Sequence, residues 1–350
     1  SIMKKLSVFS WLLAGGIGMI GVQSCTDLKP NETDSIVVSA SGSGNVNPSD
    51  FLVSAYKDLG GFAAQDFEYA LMEHTTDEMM GPTRGTDWGD NGIWRTLHAH
   101  TWDASHNYVL GSWNRLNSRI YKCNQILAAS PSAAEAAQAK FLRAYNMFYV
   151  MDFYGQVPFR NTTDGVDVNP RVMTRSEAFD FIEKDLVEAL PNLAKVTPTA
   201  ENTVASKAAA NALLARLYLN KAVYKAASAQ GPYTFDNADM DKVIAACDAV
   251  TADGYSPEAN YFDNFQPGAS KEIILTSIEG SGQNRIHMTL HYDQNPSGWN
   301  GFTTLSDFYA KFDSAANAPS WGLNSKTMKE NGVVVEKVWK VGGMYSAAIE

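Results

Sequence analysis

Ser132-Ala-Ala-Glu-Ala-Ala-Gln-Ala-Lys-Phe-Leu-Arg-Ala-Tyr-Asn-Met-Phe-Tyr-Val-Met-Asp-Phe-Tyr-Gly-Gln-Val-Pro158 is the stretch that decides the fold. Pro131 precedes it, and Ser132-x-x-Glu135 is a capping box, in which serine and glutamate satisfy each other's backbone N–H groups. Leu142, Tyr145, Tyr149 and Phe153 then recur at helical spacing, with Phe141 and Phe148 beside them. Gly155 and Pro158 stop the run. The reading is one long, strongly apolar helix.

Outward from it the same signals repeat. Thr174-x-x-Glu177 is a second capping box, followed by Phe179, Ile182, Leu186 and Leu190 and ended by Pro191. A third helix is predicted from about Ser206 to Ala227, alanine-rich, with Leu213, Leu214, Leu217 and Tyr218 as its core face. A fourth, from about Asp239, carries Val243, Ile244, Cys247 and Val250 and ends at Gly254. Tyr108 to Ala129 also reads as helix, with Trp113 in its core face, and Lys271 to Ile278 reads as a strand. Small residues spaced against large ones, as in Ala144-x-x-x-Phe148, suit antiparallel helix pairs of the tetratricopeptide kind, although no strict repeat is visible. The expected fold is mainly α: a tetratricopeptide-like helical-pair scaffold with long irregular loops and a few short strands. Leu142, Tyr145, Phe179, Leu186, Leu213 and Leu217 are expected to be buried.

The 350 residues are 45% hydrophobic and 19% charged, a globular composition. Lys and Arg number 28 against 38 Asp and Glu, a net charge of −10, which repels phosphate backbones and argues against nucleic-acid binding. Cys25, Cys123 and Cys247 are too far apart for a CxxC motif. Cys123 and Cys247 fall on helix faces and read as buried thiols.

The N-terminal residues read as an address. Lys4 and Lys5 precede an apolar run from Leu6 to Val22, a signal-peptide pattern that ends in Val22-Gln-Ser-Cys25. A small residue before a lone cysteine at the end of such a run resembles the lipobox of bacterial lipoproteins. Residues 1–24 are therefore expected to be a signal peptide, Cys25 the lipidated residue, and 25–47 a tether rich in Ser, Asn, Asp and Gly. The body is expected over 48–313, with a divergent or truncated segment at 314–350.

Two segments carry candidate binding chemistry. Asp77 to Asp103 shows no helical period and holds five glycines or prolines and three tryptophans, an irregular loop of functional length. Within it, Trp88 stands beside Asp87, Asp90 and Asn91. An indole face stacks on the apolar face of a sugar ring, and carboxylates and amides bind hydroxyls. The second segment is Asn295-Pro-Ser-Gly-Trp-Asn-Gly-Phe302, with Trp299 on a turn-forming frame and Asn295 and Asn300 as hydrogen-bonding neighbours. For both tryptophans, packing into a core is an equally open reading at this point. His98-Ala-His100 in an extended segment would turn both rings to one face, with His106 nearby, but no carboxylate partner is fixed by spacing, so no metal site is expected. No G-x-S-x-G, H-E-x-x-H or P-loop motif is present, so neither an enzyme nor a cofactor is expected. A two-carboxylate glycoside hydrolase and a helical scaffold that binds only protein remain alternatives.

The stretch from Ala139 to Pro158 resembles the signature helix of the SusD/RagB family of outer-membrane nutrient-binding lipoproteins. The Cys25 lipobox, the Trp88 loop, Lys271-Glu-Ile-Ile274 and Gly298-Trp-Asn-Gly301 leading to Asp307-Phe308 and Phe312-Asp313 fit the same pattern, which extends from Cys25 to Asp313. The resemblance implies a helical scaffold with long loops and a SusC-like TonB-dependent transporter as partner. It implies capture of oligosaccharide, or of peptide in some members, without chemistry. It places glycan contacts in the regions of Trp88 and Trp299. After Phe312-Asp313 the chain departs from the family's pattern, in which a further large segment normally completes the binding face.

Overall fold

In the computed structural model, the described residues are 46–82, 88–164, 167–259, 263–264, 266, 268–277, 288–289, 298–305, 307–308, 327–330 and 333–336. Residues 1–24, expected as a signal peptide, Cys25 and most of the expected tether 25–47 lie outside them, as do Asp87, Asn295 and most of 314–350. All described residues fall in one compact unit, 38–350.

The predicted long helix is α5 (Ala133–Tyr154), and both halves of its capping box form. Ser132 Oγ accepts from Glu135 N at 3.3 Å, and Ser132 N donates to Glu135 Oε2 at 2.8 Å. Gly155 takes the left-handed conformation at φ 69° and closes the helix by donating to the Met151 carbonyl, a position where a side chain would strain the backbone. The helix does not bury a single stripe. From Phe141 to Met151 only Tyr145 is partly exposed, because α5 is enclosed by its neighbours on all sides.

Those neighbours are α4 (Asn107–Ala128) and α6 (Arg175–Ala189), which both pack on α5, with α1 (Pro48–Asp58) lying against α4 and α5. The four-residue connection between α4 and α5 forces an antiparallel pair. Between α5 and α6 runs a two-stranded antiparallel hairpin, β1 (Gln156–Phe159) with β2 (Arg171–Thr174). Its last pair is Gln156 with Thr174, so the strand delivers Thr174 directly to its second role, the capping box of α6. Ser206 caps α7 (Lys207–Leu219), whose buried alanines permit close packing. α7 in turn packs on α9 (Asn237–Ala252). Of the six side chains expected in the core, Leu142, Phe179, Leu186, Leu213 and Leu217 are buried, and Tyr145 is partly exposed at the wall of a cavity.

Polar pins fix the registers between helices. Arg143 on α5 donates two hydrogen bonds to Asp185 on α6, at 2.7 and 2.8 Å, and a third to Asn124 on α4 at 2.8 Å. Tyr56 on α1 donates to Gln138 at 2.8 Å and accepts from Ala205 N at 3.0 Å, tying α1 both to α5 and to the start of α7.

Four expectations are corrected. The third helix does not run unbroken to Ala227: it breaks at Asn220, whose side chain donates to the Arg216 carbonyl, and α8 (Lys221–Tyr224) follows. Helix α9 buries only Ala246, leaving Ile244 and Cys247 exposed and Val243 partly covered. Cys247 is thus an exposed free thiol, while Cys123 is buried as expected. Residues 271–277 form turns rather than a strand. They are held by Asn202, which donates to the Ile273 carbonyl at 2.8 Å and accepts from Thr276 N at 2.8 Å. Trp113 is only partly buried, edge-on to Tyr154 at the margin of the core. The remaining described strands, β3 (Thr327–Glu330) and β4 (Val333–Glu336), pair antiparallel. No helix among the described residues is long and apolar enough to cross a membrane.

Candidate functional site

Beside the helical core lies a second, aromatic cluster. It joins α2 (Phe67–Glu73), α3 (Ile93–His98) and the segment 298–303. The helix α3 corrects the expectation of an irregular chain throughout Asp77–Asp103; six residues are too few to show a period. Of the three tryptophans there, Trp94 is 2% exposed and belongs to this cluster's core, Trp88 is half-buried, and Trp102 is exposed against His100.

The two candidate tryptophans do come together. Their ring centroids are 6.2 Å apart with planes tilted by 33°, so the indoles stand as neighbouring plates. Trp299 is 51% exposed. Behind them, Phe302 sits 5.2 Å from Trp88, 4.8 Å from Trp94 and 4.3 Å from His74. Two backbone features place this segment. Met80 N donates to Thr303 O at 2.8 Å and Thr303 N to Met80 O at 3.0 Å, while Gly301 N donates to Met288 O at 2.8 Å. Gly301 is required by close approach: a Cβ there would stand 2.4 Å from Cε2 of Trp88, so the indole lies directly on the bare backbone.

The polar candidates divide. Asp90 is exposed, and one of its carboxylate oxygens accepts from Trp94 Nε1 at 2.6 Å, so it braces the loop as well as facing solvent. Asn91 is exposed, with φ 54°. Asn300 is buried at 7% exposure with φ 49°, and its placement suits a turn-forming role beneath Trp299. Asp87 and Asn295 lie outside the described residues.

The histidines follow another logic. His98 ends a helix, so the extended geometry considered for His98 and His100 does not occur. His100 and His106 meet main-chain carbonyls, of Thr75 at 2.9 Å and of Ile93 at 3.0 Å. No group of metal-ligating side chains is found among the described residues. The sequence reading missed His74. Its ring is fully buried between Trp94 and Phe302, and neither nitrogen has a hydrogen-bond partner among the described residues. Burial, reinforced by the charge of His98, lowers its pKa to about 4, so the ring is neutral and acts as an apolar plate. The Phe302 that it packs against was visible in the quoted motif; nothing near His74 in the sequence marks it.

Comparison with known proteins assigns the class. The family model for SusD-like proteins described as "Starch-binding associating with outer membrane" matches residues 52–219. A SusD-like protein of Bacteroides fragilis superposes with TM-score 0.59 at 19% identity, covering 78% of this chain and 53% of its own. A SusD-like carbohydrate-binding protein from the same organism gives TM-score 0.57 at 20% identity, covering 79% and 55%. A crystal structure with xylogluco-oligosaccharide gives TM-score 0.57 at 19% identity, covering 75% and 55%. No curated protein matches the chain. Residues 52–219 thus match the SusD-like model, and the fold built around them is similar to that of the SusD-like structures. The chain spans about half the length of these solved structures.

Proposed function

We propose that this protein captures oligosaccharide on the paired faces of Trp88 and Trp299 and hands it to a SusC-like TonB-dependent transporter. In this reading it is held at the outer membrane, on the cell surface, by acyl chains on Cys25. The observation that carries the reading is the indole pair. Trp299 keeps half of its surface in water beside Trp88, although Trp94 and Phe302 of the adjoining cluster are covered. Leaving so large an apolar side chain in solvent forgoes up to about 3 kcal/mol of burial, which suits a surface kept for a ligand. Two neighbouring plates accept consecutive rings of a chain, and Asp90 and Asn91 on the adjoining turn offer acceptors and donors to hydroxyls. The family match and the carbohydrate-binding structures of the same fold support the ligand class.

The mechanism needs no bond-making. Stacking supplies affinity with little dependence on ring identity, and the polar rim orients the chain. Titration of xyloglucan and laminarin oligosaccharides into the wild type, Trp88→Ala and Trp299→Ala tests the site. Losing one plate should cost about 1–3 kcal/mol, by analogy with base stacking on aromatic side chains. Trp299→Ala should melt as the wild type does. Intact affinity in both variants would place the ligand elsewhere. New reducing ends in the incubated oligosaccharide would indicate a hydrolase.

A further inference from the structure

A cleft of about 460 Å³ opens between α1 and α4. It is lined by Lys57, Asp58 and Gly61 and, from α4, by Arg115, Arg119 and Lys122, with Asn114 and Ser118 as neutral polar neighbours. Such a concentration of cations is unexpected on a chain of net charge −10. Only part of it is neutralised. Arg119 donates to the fully buried Glu68 at 2.9 Å, and Lys122 donates to Asp58 at 2.5 Å and to Ser54 at 2.8 Å. Arg115 approaches Glu68 only to 3.8 Å, outside hydrogen-bonding range, and Lys57 is exposed at the rim. Four cations therefore face two carboxylates, Asp58 and Glu68, which leaves an excess of two positive charges.

The arginines are also held closer together than like charges favour. A Cβ on Gly61 would stand 2.2 Å from Nη2 of Arg115 and 2.5 Å from Nη2 of Arg119, so the two guanidinium tips converge on the same bare stretch of backbone. Each is braced from behind by an aromatic ring, Arg115 over Phe67 at 4.2 Å and Arg119 over Phe62 at 5.2 Å. The Arg119 guanidinium is pushed below its ordinary value chiefly by burial, with Glu68 opposing and Arg115 adding to the shift. Paired, pre-oriented forks, with the Lys57 ammonium in the same lining, are the donor set that planar or tetrahedral oxyanions need.

We propose that the cleft between α1 and α4 is an oxyanion site that takes a sulfate or phosphate ester carried on a sugar. The oxyanion chemistry rests on the cleft itself; the sugar rests on the glycan reading above. The volume leaves room for the ring that bears the ester, and the guanidinium pair sits at the wall where the charge would be bound. Such a site would let the protein select charged over neutral glycans.

The test is calorimetric titration of the full chain with sodium sulfate, sodium phosphate and N-acetylglucosamine 6-sulfate. N-acetylglucosamine and phosphatidylglycerol vesicles serve as comparisons. Saturable binding of the inorganic ions that weakens with added chloride is expected, with tighter binding of the sulfated sugar. Arg115→Gln and Lys57→Gln together should weaken it about tenfold or more, while Arg171→Gln, on an exposed strand, should not. Should Arg115→Gln lower the melting temperature, Lys57→Gln alone, at the exposed rim, should still weaken binding several-fold. Absence of saturable binding, or binding indifferent to these substitutions, overturns the site. Equal affinity for free sulfate and the sulfated sugar overturns the ester, and preferential binding to the vesicles overturns the sugar as its carrier. Failure of neutral oligosaccharides to bind, with sulfate binding intact, would strike only the Trp88–Trp299 proposal.

Discussion

In the helical core the most extensive packing joins helices close in the chain, α4 on α5, α5 on α6 and α7 on α9, with α1 added against α4 and α5. In the aromatic cluster, nearby pairs such as Trp94 with Tyr108 are closed by pairs from segments more than two hundred residues apart. His74 meets Phe302, Met80 pairs with Thr303, and Trp88 rests on Gly301. The first region is closed on itself, with α5 covered on all sides. The second ends in a half-exposed tryptophan. A core built mainly from neighbouring helices closes short loops, whereas a cluster assembled across more than two hundred residues of chain carries a larger closure entropy. The difference teaches that the scaffold and the candidate binding surface can be perturbed separately.

The largest expected effect breaks the core. Arg143→Met leaves Asp185 buried without its two hydrogen bonds and should cost about 3–5 kcal/mol, read by chemical denaturation. If the comparison holds, the Trp88–Trp299 contact should disappear only with global unfolding of this variant. Next comes acid. Because His74 has its pKa depressed from 6.5 to about 4 in the folded protein, the unfolded chain binds more protons between those values. Stability is therefore full above about pH 6.5 and falls as the pH drops toward 4, by up to about 3 kcal/mol. His74→Phe should flatten that part of the pH profile, and tryptophan fluorescence should report the change.

Gly301→Ala sharpens the comparison. The new Cβ collides with the Trp88 indole, and relieving that overlap should cost about 1–3 kcal/mol. Near-ultraviolet circular dichroism should show a displaced tryptophan while far-ultraviolet helicity stays unchanged. The smallest effect concerns the thiols. Cys247 should react with a thiol reagent in the native protein without loss of stability. Cys123 should react only on unfolding, since burial pushes its thiol up to about 12. Equal reactivity would mean that the core breathes as freely as the outer face of α9.

The sequence determined a good deal by itself. Capping boxes at Ser132 and Thr174, the helix start at Ser206 and the glycine stop at Gly155 are local chemistry, in which each partner lies within four residues, and they appear as read. Apolar spacing likewise identified most of the core, because burial follows helical period wherever a helix has one dominant neighbour. It misjudged α9, where Ile244 and Cys247 are exposed, since an apolar stripe states that a face can be covered and not that anything covers it. Trp88 and Trp299 were recognisable as candidates from their glycine-rich surroundings, but three facts needed the folded chain. Their adjacency, the withdrawal of Asn300 from solvent and the buried neutral His74 all depend on the bridge between Met80 and Thr303. The convergence of Arg115 and Arg119 at Gly61, in a cleft shared with Lys57, is of the same kind. One helical turn separates the two arginines in sequence, yet only the packing of α1 and the glycine after it turns their charges into one cleft. Local contacts are encoded by residues that are neighbours in the chain; contacts across long loops are decided by the tertiary fold, because nothing in either segment alone specifies its partner.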